Sequence, residues 1–286
     1  MLIRLCSLLL AMTFSSSASA VMLIDLTSLN SSGEANGAIF LQFTEAGAGG
    51  GALESFLTYS KSNTGLTSGV NKAGNPFQFD TSPGAGNTSE LRLSEVPIVS
   101  IGGQDFREFA FDVNEKDTNA DVAKLSLQEL EISIADDGDL GPYMLGTSLG
   151  GSPFGGSSSK LIYSLDQGPD GDSRVDLTQD LSGPGQGKID MILYVRSSLF
   201  SDPNFGVDPF VYFYSVSGAN STSPGNASIG WTNDNNSEQW GVGKDGPINP
   251  NPPGGVPEPS TLAVFGLGAV CIVAGGLRRR RKPVAC

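Results

Sequence analysis

Short runs of β-forming residues recur along almost the whole chain of 286 residues, separated by glycine, proline, asparagine, aspartate and serine. In the clearest run, Leu130, Ile132 and Ile134 alternate with Glu131 and Ser133. A period of two predicts a strand with one face in a core and the other in water. The 38 glycines supply the positive-φ positions that many turns need. Helical periodicity is nearly absent, so the sequence predicts an all-β body.

A dozen runs carry this strand signal, and turn residues bound each of them. They cover residues 38–43, 55–60, 76–80, 90–101 (with a break at Pro97), 108–113, 125–134, 160–165, 174–177, 188–195, 209–216, 229–231 and 238–242. Strands of this number and length indicate a β-sandwich of jelly-roll type. A right-handed β-helix is the rival architecture, and the absence of a fixed repeat period argues against it.

The first 20 residues have the layout of a secretory signal peptide. Arg4 precedes an apolar run over residues 5–14, and small residues follow up to Ala18, Ser19 and Ala20. The apolar run is about half the length that a membrane-spanning helix needs. We therefore predict a signal peptide over residues 1–20, export through the Sec pathway, and a mature chain that starts at Val21.

The other end of the chain has three parts in a fixed order. A stretch rich in proline, glycine and asparagine covers residues 246–255, and then come Val256, Pro257, Glu258 and Pro259. An uncharged run over 261–277 is long enough for a helix of about 26 Å. The basic cluster behind it consists of Arg278, Arg279, Arg280, Arg281 and Lys282. Because such a cluster resists translocation, we predict a linker, a transmembrane helix (261–277) and a stop-transfer cluster (278–282).

The Pro-Glu-Pro triplet, the short apolar run and the arginine cluster together resemble the PEP-CTERM sorting signal, here over residues 256–282. The resemblance implies that an exosortase, a membrane-embedded cysteine transpeptidase, cuts the chain near Pro257, Glu258 and Pro259. It also implies an inner-membrane intermediate. The β-sandwich body, residues 21–245, would then reach the cell surface or an exopolysaccharide matrix.

Charge is distributed unevenly between the body and the two ends. All 30 acidic residues lie between Asp25 and Glu258, whereas six of the 17 basic residues belong to the end segments. The exported part therefore carries a charge of about −19, against −13 for the whole chain. An acidic body repels nucleic acid, so we expect no nucleic-acid partner.

The residue types that the body lacks exclude many enzymes. The chain has no histidine, and its three cysteines, Cys6, Cys271 and Cys286, lie in the end segments. Serine-histidine and cysteine-histidine nucleophiles, histidine metal sites and histidine-ligated haem are therefore excluded, and no disulfide holds the body. Paired carboxylates could serve a glycosidase, but no motif singles out two of them. We expect a non-enzymatic protein without a cofactor, calcium being the one candidate.

Two weaker candidate sites remain in the body. The segment LDQGPDGDSRVD could offer calcium several carboxylates, although Asp-Gly pairs are also ordinary turn residues. Its aspartates are Asp166, Asp170, Asp172 and Asp176. Trp231 and Trp240 lie in polar sequence surroundings and could stack on sugar rings, whereas the aromatics of 209–216 are expected in the core. A matrix-associated protein is therefore the favoured function, with a carbohydrate-binding module or a calcium-stabilised adhesin as alternatives.

Overall fold

A computed structural model describes residues 22–44, 52–61, 65–72, 76–82, 88–114, 123–156, 158–166, 173–181, 188–219, 231–233, 237–250 and 252. Within these ranges the chain forms β-strands and short 3-10 helices, with no α-helix, so the prediction of an all-β body is confirmed. No helix in this part of the chain is long and apolar enough to cross a membrane. The predicted signal peptide, transmembrane helix and basic cluster lie outside the described residues.

The strands are β1 (Leu23–Asp25), β2 (Ser32–Ala35), β3 (Ala38–Gln42), β4 (Leu53–Ser60), β5 (Thr67–Val70), β6 (Ile98–Ile101), β7 (Gln104–Asp112), β8 (Lys124–Ala135), β9 (Ser159–Ser164), β10 (Arg174–Thr178), β11 (Met191–Arg196), β12 (Phe210–Ser217) and β13 (Ser237–Gly243). The 3-10 helices are η1 (Leu93–Glu95), η2 (Gln179–Leu181), η3 (Ser197–Phe200) and η4 (Pro203–Phe205). Two predicted strands are wrong in part: residues 76–80 form bends and turns, and η1 replaces the first half of 90–101.

The strands assemble into two sheets. Sheet A has the order β1-β10-β8-β12-β5, and β9 also pairs with β8. Sheet B has the order β2-β3-β11-β7-β13-β4, and β6 also pairs with β7. The β1–β10 pair is parallel, whereas the pairs that build the rest of the two sheets are antiparallel.

The strand pairs are nested in the sequence. β4 pairs with β13, β5 with β12, β7 with β11 and β8 with β10. Successive pairs belong alternately to sheet B and sheet A. The chain therefore crosses between the two sheets repeatedly, and each sheet contains strands that are distant in sequence.

Aromatic side chains on the inner faces join the two sheets. The ring of Phe213 in sheet A lies 4.7 Å from that of Phe109, 5.0 Å from Phe56 and 5.3 Å from Trp240, which all belong to sheet B. All four side chains are buried and belong to one apolar cluster that both sheets share. The prediction that aromatics of 209–216 lie in the core is confirmed for Phe213, which belongs to this cluster.

A loop covers the outer face of sheet A. Residues 136–156, named the cover loop, place the ring of Tyr143 against Tyr214 at 5.1 Å and that of Phe154 against Tyr212 at 4.6 Å. Ser133, expected to face water, is consequently fully buried. That expectation is wrong because a period of two distinguishes the faces of a strand but does not show what covers them.

A second segment covers the outer face of sheet B. Residues 244–250, named the strap, follow β13 and lie against the face that is turned away from the core. Ile248 packs there against an apolar cluster that includes Val99, Phe106 and Ile192. Both outer faces of the two-sheet body are therefore partly covered by non-strand segments.

Candidate functional site

The strap consists of the last residues that the structure describes continuously before the predicted sorting segment. β13 ends at Gly243, and the backbone N–H of Lys244 then donates to the carbonyl oxygen of Ala52 at 3.0 Å. The carbonyl oxygen of Gly246 lies 2.0 Å from the position that a β-carbon on Gly243 would occupy. Only glycine fits at such a close approach, and this turn directs the strap onto sheet B.

A buried carboxylate fastens the strap. Glu108, on the outer face of β7, is fully buried and accepts the backbone N–H of Ile248 at 2.5 Å and that of Asn249 at 3.2 Å. Burial raises the pKa of the Glu108 carboxyl, while the two N–H groups act in the opposite direction by stabilising its charge. Bonds to a charged acceptor are about twice as strong as neutral ones, so this clasp, Glu108 with the two amides, is a strong local contact.

Of the four aspartates that were predicted as calcium ligands, the structure describes Asp166 and Asp176. Asp176 lies on β10, where its carboxylate accepts the hydroxyl of Ser126 at 2.5 Å and pairs with Arg174 at 3.0 Å. Burial raises the pKa of Asp176, and both partners stabilise its charge. Asp166 accepts the backbone N–H of Ser173 at 3.0 Å. The other two, Asp170 and Asp172, lie outside the described residues, and the described part holds no cluster of three metal-ligand residues.

The two tryptophans have different surroundings. Trp240 lies on β13 with no exposed surface, and its indole N–H donates to Ser215 at 3.0 Å. A sugar-stacking role for Trp240 is therefore corrected, because a ring inside the core has no free face. Trp231 is half-buried, and the Lys124 ammonium lies 4.2 Å from its ring centre. Of the two tryptophans, Trp231 is therefore the one with accessible surface that a ligand could contact.

Two open clefts of the described body share Asp202 beside η3 and η4. One has a volume of about 770 Å³ and is lined by Arg107, Ser201 and Asp202 among others. The other, of about 760 Å³, is lined by Asn204 and again by Asp202. Asp202 accepts the Lys160 ammonium at 2.8 Å and the backbone N–H of Asn204 at 2.9 Å, and these bonds lower its pKa. No motif marked the clefts, because their walls come from segments that are far apart in sequence.

The comparison with protein families decides what the C-terminal segment is. Residues 255–282 match the family described as the PEP-CTERM protein-sorting motif. The chain carries a PEP-CTERM sorting motif at residues 255–282. The match includes the predicted triplet Pro257, Glu258 and Pro259 and the whole basic cluster, so the recognition made from the sequence is confirmed. The motif implies export, sorting to the cell surface and exosortase as the processing partner. Comparisons with curated proteins and with solved structures gave no match.

In this PEP-CTERM protein the clasp lies directly before the sorting motif. The motif begins at residue 255, six positions after Asn249. The first residues of the predicted linker, 246–249, are therefore placed against sheet B.

Sequence reasoning missed Glu108, which reads as one more polar residue on an alternating strand. One signal was present, since Ile248 is the only large apolar residue other than proline between Gly246 and Gly255.

Proposed function

We propose that this PEP-CTERM protein is a non-enzymatic component of the cell surface or extracellular matrix that associates with exopolysaccharide after exosortase has cut it at the PEP motif. The match of residues 255–282 to the sorting motif carries the proposal. The proposed route begins with the signal peptide over residues 1–20 and the Sec pathway. It continues through an inner-membrane intermediate that residues 261–282 hold, and it ends outside the cell.

We further propose that the body is a jelly-roll β-sandwich. The nesting of β4–β13, β5–β12, β7–β11 and β8–β10 supports this assignment, because a jelly roll folds one long antiparallel ribbon over two sheets. In these four pairs the two strands are distant in sequence. The body is therefore a single folding unit, suited to export followed by folding outside the cytoplasm.

The absence of an enzymatic role is part of the proposal. A chain without histidine has no general base whose ordinary pKa lies near neutral pH. The buried carboxylates described above have structural partners: Glu108 binds the strap, and Asp176 binds Ser126 and Arg174. Such partners support a stabilising role for these acids rather than a role in proton transfer.

Carbohydrate binding by the body is a second candidate function, and the two clefts that share Asp202 favour it. They offer hydroxyl, amide and charged groups along one continuous surface, which suits a hydroxyl-rich polymer. Trp231, the half-buried tryptophan, supplies a second candidate surface. Pull-down with the host's own polysaccharide tests both surfaces through Ser201→Arg and Trp231→Ala. Ser148→Arg, on the exposed cover loop, is the matched control, and equal binding by all variants would sink this candidate.

A calcium-stabilised adhesin is the third candidate. Asp166 directly precedes the segment of the sequence that contains Asp170 and Asp172, whereas Asp176 binds Ser126 and Arg174. Selective binding to the folded protein must raise its stability. The thermal midpoint of the mature protein should therefore rise with calcium and fall with chelator, and an unchanged midpoint would remove this candidate.

Deletion of the exosortase in the native host tests the leading proposal. Mass spectrometry of the C-terminus, with cell fractionation, should find a chain cut within or next to Pro257, Glu258 and Pro259 in the wild-type strain. The deletion strain should retain the full tail in its membrane fraction. A protein with an intact tail in wild-type cells would contradict the proposal.

A further inference from the structure

The clasp fixes the place where the chain leaves the folded body. Up to Asn249, backbone N–H bonds to Glu108 and the packing of Ile248 hold the chain against the outer face of sheet B. The cover loop lies on the outer face of sheet A, on the opposite side of the sandwich. The sorting signal therefore leaves from one particular side of the body, and not from the end of β13.

The length of chain beyond the clasp is short relative to the body. From Asn249 to Pro257 there are eight residues, which span at most about 29 Å when fully extended. From Asn249 to residue 261, where the predicted membrane helix starts, the limit is about 43 Å. A compact domain of this size has a diameter of about 45 Å, and a path around half of it is about 70 Å. The tether is therefore too short to pass around the body.

Release of the clasp would change this limit. If the strap detached, the free chain would begin after Gly243, and its extended length to residue 261 would be about 65 Å. That length is close to the path around the body. A body whose strap is detached could therefore rotate until its opposite face points toward the membrane. Electrostatics would not prevent this, because an acidic body is repelled by an anionic membrane surface.

We propose that the strap-bearing face of sheet B is the surface that the anchored precursor turns toward the membrane and its processing enzyme, and that Glu108 is the residue that fixes this orientation. The inference rests on the membrane-bound intermediate of the proposed function. After cleavage, the new C-terminus stays beside the same face, within about 29 Å of Asn249. The cover loop, with its exposed Met144, Leu145 and Leu149, then points away from the membrane or the attachment point.

Energy transfer to labelled lipids tests the orientation in the reconstituted full chain. With Cys6, Cys271 and Cys286 replaced by alanine, the protein has no thiol, so a single donor dye can be placed at will. The two dye positions are Asp245→Cys on the strap and Ser148→Cys on the cover loop, both exposed. The chain is purified from a host without exosortase and reconstituted in phosphatidylethanolamine and phosphatidylglycerol vesicles that contain acceptor-labelled lipid.

Transfer from position 245 should be at least about twofold more efficient than from position 148, since roughly one body diameter separates the two sides. Glu108→Ala should largely abolish this difference, and Glu108→Gln, which keeps one carbonyl acceptor, should reduce it. Glu131→Ala is the control, because it removes a half-buried carboxylate from the opposite face. Urea unfolding verifies that each variant is folded. If Glu108→Ala does not fold, the comparison rests on Glu108→Gln.

Equal transfer from the two positions in the wild type would overturn the inference. So would an unchanged difference in a folded Glu108 variant. A chain that fails to float with the vesicles would contradict the membrane-bound intermediate, and the inference with it. Flotation therefore separates a failure of the proposed function from a failure of the orientation alone.

Discussion

The outer faces of the two sheets are partly covered by segments that are held in different ways. The cover loop on sheet A joins β8 to β9, so strands hold it at both ends, and its aromatic rings pack on tyrosine rings of the sheet. Within the described residues, the strap on sheet B is joined to a strand only at its first end, and its polar contact is a carboxylate that binds backbone N–H groups. A segment with one fixed end gains far more freedom when a contact is lost. Removal of Glu108 should therefore weaken the cover of sheet B more than removal of Glu131 weakens the cover of sheet A.

Among the polar contacts of the two covers, the largest effect is expected when the carboxylate under the strap is removed. Glu108→Ala leaves the amides of Ile248 and Asn249 without a charged acceptor and should lower the free energy of unfolding by about 3 kcal/mol. Glu131→Ala removes the acceptor of the Tyr143 hydroxyl and should lower the free energy of unfolding by about 1 kcal/mol. Urea unfolding measures both losses. Equal losses would contradict the difference between the two faces.

A smaller effect is expected from the apolar half of the strap contact. Ile248 is partly buried against the cluster on sheet B, so Ile248→Ala should lower the free energy of unfolding by about 2 kcal/mol. Pro247→Ala, at an exposed neighbouring position, is the control and should change it little. If the two variants were equally stable, Ile248 would not be packed as described.

The cover loop should tolerate loss of its hydroxyl contact. The hydroxyl of Tyr143 donates to the Glu131 carboxylate, while its ring stacks on Tyr214 and contacts Phe154. Tyr143→Phe keeps both ring contacts and should cost about 1 kcal/mol by urea unfolding. Tyr143→Ala, which removes the ring as well, should cost about 3 kcal/mol or more. A hydroxyl deletion as costly as the ring deletion would contradict the aromatic character of this contact.

The smallest effect concerns pH. Burial raises the pKa of Glu131 above its usual 4.5, the nearby charge of Glu129 adds to the rise, and the Tyr143 hydroxyl opposes it. The folded state therefore binds this proton more tightly than the unfolded chain, so this group's contribution to stability falls as pH rises from about 4.5 through the raised pKa. Glu131→Gln removes that contribution. Its stability relative to wild type should increase over this interval in urea unfolding, and a constant difference would contradict the shift.

The strands could be predicted wherever one face of a strand meets the core. β8 and β12 were found because their inward residues, such as Ile132 and Phe213, alternate with outward ones. β5 was missed, since Thr-Ser-Gly-Val reads as a loop. It is a strand because it pairs with β12. It requires a glycine because a β-carbon on Gly69 would lie only 2.7 Å from that of Tyr59.

The candidate site was only partly predictable, for a related reason. The sorting motif is continuous in sequence, and it could be recognised directly. The clasp joins Glu108 to Ile248 and Asn249 across 140 residues or more, so no local pattern could reveal it. The prediction for Trp240 was wrong because its polar sequence neighbours suggested an exposed side chain. Its strand lies between β4 and β7 within sheet B.

Amide hydrogen exchange at Ile248 and Asn249 in the mature protein tests most directly whether the strap belongs to the folded body. Both amides donate to Glu108, so they should exchange at least about 100-fold more slowly than those of an unstructured chain. In Glu108→Ala the protection should disappear at these two residues while the core strands keep theirs. Exchange of both wild-type amides at the unstructured rate would contradict the clasp and show a free linker beginning at residue 246.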